Sequence, residues 1–366
     1  MLVSSLSVMD EFSYGDQFSD YFYSADPFVV GLEGPLTGSQ SSVGIDMLRG
    51  ALLAVEIINE EGGVLGRPLQ LLSADDSADP DKALDVANYL KAVGADAVVG
   101  PYNSSVGLEN LDYYIDNKIL PVHLTSTDAT SGKGVTIQPK NSQISPKESA
   151  YILDQDVESV SIVVDPSAYT RGMAERLKAS LEAEGVEVNV FEVDPGKESY
   201  EALVSDVISD DPDLVYLSTY YPEGGAILEG LEDLGSDAMR FLGLANVDPA
   251  LIQDVGLELA QSAMFSGVPE ADQLPDSQEF VDAYRERFSD DPGVWGVFVY
   301  DSFNILVDAI NRVDSTDYDD MLSSLLMTEN YLGQTGSITV DPLTGNRVDV
   351  PVSILRVDED GGFVPI

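Results

Sequence analysis

The chain has no cysteine, which excludes disulfides, thiol nucleophiles and thiolate metal sites and leaves the redox compartment open. Histidine occurs once, at His123 within the apolar run ILPVHL. That setting suits a buried, hydrogen-bonded side chain better than a general base. No run of about 18 apolar residues is present to cross a membrane. The phosphate loop GxxxxGK followed by Ser or Thr, the dinucleotide fingerprint GxGxxG, the nucleophile elbow GxSxG and the zinc motif HExxH are all missing. Basic residues are scarce, 18 Lys and Arg against 65 Asp and Glu. The resulting net charge of −47 makes nucleic acid and anionic membrane surfaces poor partners.

The acidic excess is spread along the whole chain, which fits a folded protein with an acidic surface rather than a disordered tail. Such a surface repels itself in dilute buffer, and a Debye length of about 3 Å near 1 M salt removes most of that repulsion. In this respect the chain is similar to proteins of extreme halophiles, and its folding is expected to need salt. At 366 residues, two α/β lobes are a natural expectation. The first 27 residues carry five acids and no Lys or Arg, and lack the basic start and apolar length of a signal peptide. They are expected to form a flexible lead-in.

What the chain does have is a stretch, Ala95–Thr130, in which two short apolar strands, Ala97–Val99 and Leu120–Leu124, flank a helix. Each strand runs into small polar residues: Asn103, Ser104 and Ser105 after the first, Thr125, Ser126 and Thr127 after the second. In a parallel sheet, ligands sit at the carboxyl ends of strands, where helix N-termini present free N–H groups. Hydroxyls and amides meeting there would form a neutral cradle for a small carboxylate. The same residue types also cap helices and turns.

Elsewhere strands and helices alternate, as a parallel α/β protein requires. Strands are expected at Phe28–Leu32, Pro68–Ala74, Ser159–Val164, Val186–Val193, Leu214–Ser218, Phe241–Gly243, Gly333–Val340 and Val350–Val357, with long helices at Ile45–Asn59 and Gly296–Val313. The acidic run Asp75, Asp76, Asp79, Asp81 lacks the Gly and Glu of a calcium loop. Its Asp79-Pro80 pair instead suits a helix cap with proline in the first turn.

The motifs GPLTGSQSSVG, AVEIINEEGGVLGRPLQLL and DDSADPDKALDVANYL, in that order, resemble type I periplasmic solute-binding proteins, in particular the branched-chain amino-acid (Leu/Ile/Val) receptors of ABC importers. The resemblance runs from about Val29 to the C-terminus. It implies two doubly wound parallel-sheet lobes, 28–140 with 270–331 and 141–269 with 332–366, joined by three crossings near Pro139–Gln143, Val268–Ala271 and Leu332–Gly336. It further implies a monomeric, non-enzymatic, cofactor-free receptor outside the cytoplasm, tethered at the outer face of the membrane. Such a receptor delivers a small amino acid or similar carboxylate to a permease and its ATPase.

Carried over by position, Ser104 would bind the ligand carboxylate, with its neighbour Ser105 as a further ligand contact. Thr125, Ser126 and Thr127 would contact carboxylate and ammonium, Tyr169 and Tyr220 would close from the far lobe, and Trp295 would form an aromatic wall. The acid that usually follows the strand ending at Gly243 is replaced by Leu244, Ala245 and Asn246. Asn246 takes that place as a ligand contact, with Asp128 and Asp248 as candidate counter-charges. If neither serves, the ligand carries no ammonium and is a non-amino carboxylate, an amide or urea, because a buried unpaired ammonium costs several kcal/mol. Val43 stands where relatives often carry a larger wall residue. A paired-carboxylate hydrolase and a sensory domain are the alternative classes. A hydrolase with paired carboxylates has no pair that the sequence singles out, and a sensory domain would differ only in its partner.

Overall fold

The structure is a computed structural model that describes residues 26–197 and 199–366. The lead-in expected at 1–27 lies outside the described residues, Asp26 and Pro27 apart. Strand β1 (Phe28–Gly34) is buried along its whole length, as a strand covered by helices on both faces must be. It pairs in parallel with β2 (Leu69–Asp75) and β3 (Ala97–Val99), and β3 pairs with β4 (Leu120–Val122), giving the order β2-β1-β3-β4. A parallel bridge from Val122 to Val135 continues this sheet by one position.

A second parallel set comprises β5 (Ser159–Val164), β6 (Glu187–Glu192), β7 (Leu214–Ser218), β8 (Met239–Leu242) and β9 (Ala263–Gly267). Next in the chain, β10 (Tyr331–Gly333) and β11 (Gly336–Ile338) form a separate hairpin. Then β12 (Ser353–Val357) and β13 (Phe363–Pro365) add to the second set antiparallel, completing the order β13-β12-β9-β8-β7-β5-β6. Both sheets reverse their winding beside the first strand of the set, between β1 and β3 and between β5 and β7. A crevice opens at the carboxyl ends of the strands at such a reversal. The fold is α/β, two doubly wound parallel-sheet lobes.

The helices are α1 (Ser41–Glu60), α2 (Ala83–Ala92), α3 (Ser104–Asp116), α4 (Asn141–Leu153), α5 (Ala168–Ala183), α6 (Glu201–Ser209), α7 (Glu223–Asp233), α8 (Pro249–Val255), α9 (Leu257–Gln261), α10 (Gln278–Phe288), α11 (Val294–Val313) and α12 (Tyr318–Leu326). Before α2, Asp79 accepts from the Asp81 N–H with Pro80 next in line, so the acidic run does cap a helical turn. Helices α1 and α11 cross closely because both are glycine at the contact: a Cβ on Gly50 would lie 2.1 Å from the Gly296 carbonyl oxygen. Asp46 of α1 caps α11 from the side, its carboxylate accepting from the N–H groups of Gly293 (3.0 Å), Trp295 (2.9 Å) and Gly296 (2.6 Å). This fixes Trp295.

The stretch Leu332–Gly336, expected to cross between lobes, does not do so. It is the β10–β11 turn, held on α11 by Asp301, which accepts from Gln334 N (2.9 Å) and from Thr335 N (2.7 Å) and Oγ1 (2.6 Å). Buried Arg347 ties the same turn through Thr335 and Ser337. The long strand expected over Gly333–Val340 is therefore a tight hairpin, bent at Gly336 with φ 89°. The chain reaches the second sheet only at Ser353.

Candidate functional site

At the end of β3 the chain passes Gly100, where φ is 112° and a Cβ would lie 2.1 Å from the Glu33 carbonyl oxygen, so only glycine fits. It then delivers Tyr102 and Ser104 to the crevice, Ser104 being the first residue of α3. At the end of β4 it delivers Leu124 and Ser126, and the segment after Val135 delivers Gln138. The opposite side consists of Tyr169 on α5, Tyr220 after β7, and Leu244 and Ala245 after β8; Trp295 closes one end. These ten side chains line a cavity with about 10 Å³ of free space, room for one water-sized body. Four of the ten are aromatic. Tyr102 meets Trp295 at 5.3 Å and Tyr220 at 6.4 Å, and Tyr169 meets Tyr220 at 5.8 Å, all edge-on.

None of the ten lining side chains is charged. The hydroxyls are arranged to donate. Ser104 Oγ accepts from the Thr127 N–H at 3.1 Å, and Ser126 Oγ accepts from Gln138 Nε2 at 3.0 Å. A serine whose oxygen accepts from the protein still has its own O–H to give. Among the described residues, Tyr169 Oη has no hydrogen-bonding partner. Burial pushes the phenols of Tyr102, Tyr169 and Tyr220 upward, so they remain protonated donors. The amino end of α3 adds N–H groups that its own helix leaves unpaired.

Of the residues expected in the site, Ser104, Ser126, Tyr169, Tyr220 and Trp295 line the cavity. Thr125 does not. Its hydroxyl turns inward to His123 Nδ1 (2.9 Å) and Thr130 Oγ1 (2.6 Å), where Lys140 Nζ also bonds Thr130 (2.8 Å) and the Thr125 carbonyl (3.1 Å). Burial pulls the Lys140 ammonium down to about 7. Thr127 supplies its backbone to Ser104 and is not a lining side chain. Ser105 reaches across the crevice, its Oγ accepting from the Ala168 N–H at 3.0 Å.

Asn246 lies beneath the wall. Its amide donates to the carbonyls of Thr219 (2.8 Å) and Gly243 (3.3 Å), which pins the loop ends instead of facing the cavity. Val43 packs on the main core. The candidate counter-charges are also engaged elsewhere. Asp128 pairs with Arg176 at 2.8 Å and accepts from Ser142 at 2.5 Å; Asp248 caps α8 through Ala250 N and accepts from Ser42 at 2.6 Å.

Tyr102, Gln138 and Leu124 are additional wall residues. Tyr102 and Leu124 sit at strand ends already flagged by the sequence. Gln138 ends a segment that carries no strand pattern of its own, and only the bridges from Val135 to Val122 and from Thr136 to Asn346 align it with the sheet edge. Behind the far wall, Glu148 is fully buried and accepts from the hydroxyls of Tyr216 (3.0 Å) and Ser266; burial raises its carboxyl to about 7.

A family model described as periplasmic binding protein matches residues 27–362. A Leu/Ile/Val-binding protein of Rhizobium johnstonii is 32% identical over 266 residues, 70% of this chain and 72% of that protein. Among solved structures, a leucine-binding protein from Thermotoga maritima is similar at a TM-score of 0.83 and 22% identity, over 92% of this chain and 97% of that one. An ABC-transporter solute-binding protein from Rhodopseudomonas palustris, solved with 3,4-dihydroxybenzoic acid, gives a TM-score of 0.83 at 20% identity, over 93% of this chain and 96% of that one. Among the described residues, no helix is long and apolar enough to cross a membrane.

Proposed function

The chain belongs to the periplasmic binding protein family, a family of solute-binding proteins, and from that premise we propose that it is the extracytoplasmic substrate-binding component of an ABC importer. It captures a small carboxylate with an apolar body, of the branched-chain amino-acid class or its ammonium-free analogues, between two lobes. We place the lobes at about 26–139 with 271–348 and 142–267 with 353–366, moving the third crossing to the segment before β12. In this reading the protein acts as a monomer without enzymatic activity, is tethered at the outer face of the membrane, and hands its ligand to a permease and ATPase.

One observation carries the carboxylate reading: Ser104 and Ser126 hold their oxygens on protein donors, leaving both O–H groups for a ligand at the amino end of α3, in a cavity without fixed charge. An anion suits such a site because donors, dipole ends and no competing carboxylate surround it. The branched-chain reading draws on the Leu/Ile/Val-binding relative, and the aromatic and apolar far wall suits such a body. The ammonium-free alternative draws on the missing counter-charge and on the fold neighbour that holds a benzoic acid. With so little free space, ligand entry requires the walls to part, and a ligand touching both walls then favours the closed form.

A thermal-shift screen in molar KCl tests this, comparing leucine, isoleucine and valine with their ammonium-free carboxylates and with leucinamide and urea. A binder raises stability by about 2.7 kcal/mol at a hundredfold excess over Kd. Carboxylates should shift the melt and amides should not. Shifts from amides or urea alone would contradict the reading.

A further inference from the structure

We propose that Gln138 is the specificity residue of the cleft, selecting carboxylates with a neutral hydrogen-bond donor at the 2-position, such as 2-hydroxy acids, over 2-amino acids; this rests on the carboxylate reading above. Gln138 is 1% exposed and lines the cavity beside Ser104 and Ser126. Its Nε2 is committed to Ser126 Oγ at 3.0 Å, and its Oε1 has no partner among the described residues. A buried amide oxygen without a donor is costly, and a ligand donor repays that cost.

The donor is best neutral. An ammonium brings a full charge and three protons, and no lining side chain answers that charge. The acids around the crevice do not line the cavity and accept from protein groups, Glu148 from Tyr216 and Ser266 among them. Asp128 holds Arg176 and Ser142, and Asp248 holds Ser42 and Ala250 N. Asp165 accepts from the Ser167 N–H (2.8 Å), the Thr170 hydroxyl (2.7 Å) and the Tyr220 N–H (3.0 Å). A hydroxyl asks for one acceptor, and Gln138 Oε1 is one. Tyr169 Oη, the other unpartnered lining atom, is a protonated phenol and suits the carboxylate.

The experiment uses three probes sharing one carbon skeleton, 2-hydroxy-4-methylpentanoate, leucine and 4-methylpentanoate, titrated calorimetrically in molar KCl against the parent, Gln138→Glu and Gln138→Met. The parent should bind the hydroxy acid at least about tenfold tighter than leucine, the discrimination a site built for a hydroxyl can supply. Gln138→Glu adds the missing counter-charge and should reverse that order. Gln138→Met keeps the volume without the acceptor and should bring the hydroxy acid to within about twofold of 4-methylpentanoate. Melting curves check folding, and if Gln138→Glu does not fold, Gln138→Met carries the test alone.

A parent that prefers leucine, or ratios unchanged in the variants, would overturn the inference. So would Gln138→Glu losing all three probes, because the amide would then be turned with its N–H groups on the carboxylate. If none of the three binds the parent and leucinamide does, the carboxylate reading itself fails and takes this inference with it.

Discussion

The two walls of the crevice come from equivalent places, the carboxyl ends of parallel strands, yet they are built differently. The wall from β3, β4 and the segment after Val135 mixes Tyr102 and Leu124 with three polar groups: Ser104 is held by the Thr127 N–H and Ser126 by Gln138, which leaves their own O–H groups free for the cavity. The wall from β7, β8 and α5 offers Tyr169, Tyr220, Leu244 and Ala245, which are aromatic or apolar. Direct bonds already join the two: Ser42 to Asp248, Ser105 to the Ala168 N–H, and Asp128 to Arg176. The contrast fits a division of labour. In the proposed reading the serine and glutamine groups of the first wall recognise the ligand, and the second wall adds the Tyr169 phenol, excludes water and completes closure.

Removing the recognition hydroxyls should break this contrast most severely. Ser104→Ala with Ser126→Ala deletes two donors to a charged ligand group, each worth about 1.5–3 kcal/mol, so affinity should fall by roughly a hundredfold or more. Titration calorimetry measures it, with circular dichroism confirming the fold.

The walls should also answer pH in opposite senses. Glu148, behind the aromatic wall, titrates near 7 in the folded protein against an ordinary 4.5. The stability it contributes is therefore full below about 4.5 and lost as pH rises through 7. Lys140, behind the first wall, is lowered from 10.5 to about 7. Its contribution is full above about 10.5 and is lost as pH falls toward 7. Between about pH 6 and 8.5 the stability difference between variant and parent should move by about 1–2 kcal/mol in favour of Glu148→Gln. For Lys140→Met it should move by a similar amount in favour of the parent. Urea denaturation of each variant at the two pH values, in constant molar salt, checks both signs.

The smallest effect should come from the cross-crevice bonds. Arg176 is 44% exposed and Asp128 30%, so their pair contributes at most about 1 kcal/mol. Arg176→Ala should weaken ligand binding by no more than about fivefold, chiefly through faster release. A larger loss would mean that closure depends on the rim and not on the ligand.

Much of this was legible from residue order. Strand ends followed by small polar residues marked Ser104 and Ser126, because a parallel sheet sends its carboxyl ends to one edge. Alternation of apolar strands with amphipathic helices gave the fold, and Asp79-Pro80 gave its cap. Side-chain direction was not legible. Thr125 and Ser126 are neighbours, yet one faces a buried network with His123 and Lys140 and the other faces the cavity, since successive side chains leave an extended backbone on opposite sides. Asn246 read as a ligand contact where an acid is missing, but its amide N–H groups are spent on the carbonyls of Thr219 and Gly243. Gln138 was invisible because a segment paired only through isolated bridges leaves no periodic trace. The hairpin at Leu332–Gly336 depends on Asp301 and Arg347, far away in sequence.

The central claim, that one ligand touches both walls, is tested most directly by titrating the best carboxylate from the screen against Ser104→Ala and Tyr220→Ala in the same molar salt. Each variant removes one wall's contact and leaves the other intact. The account predicts that both lose affinity, Ser104→Ala by about tenfold or more and Tyr220→Ala by several-fold to tenfold. Affinity within about twofold of the parent for either variant would place the ligand on one lobe alone and contradict the account.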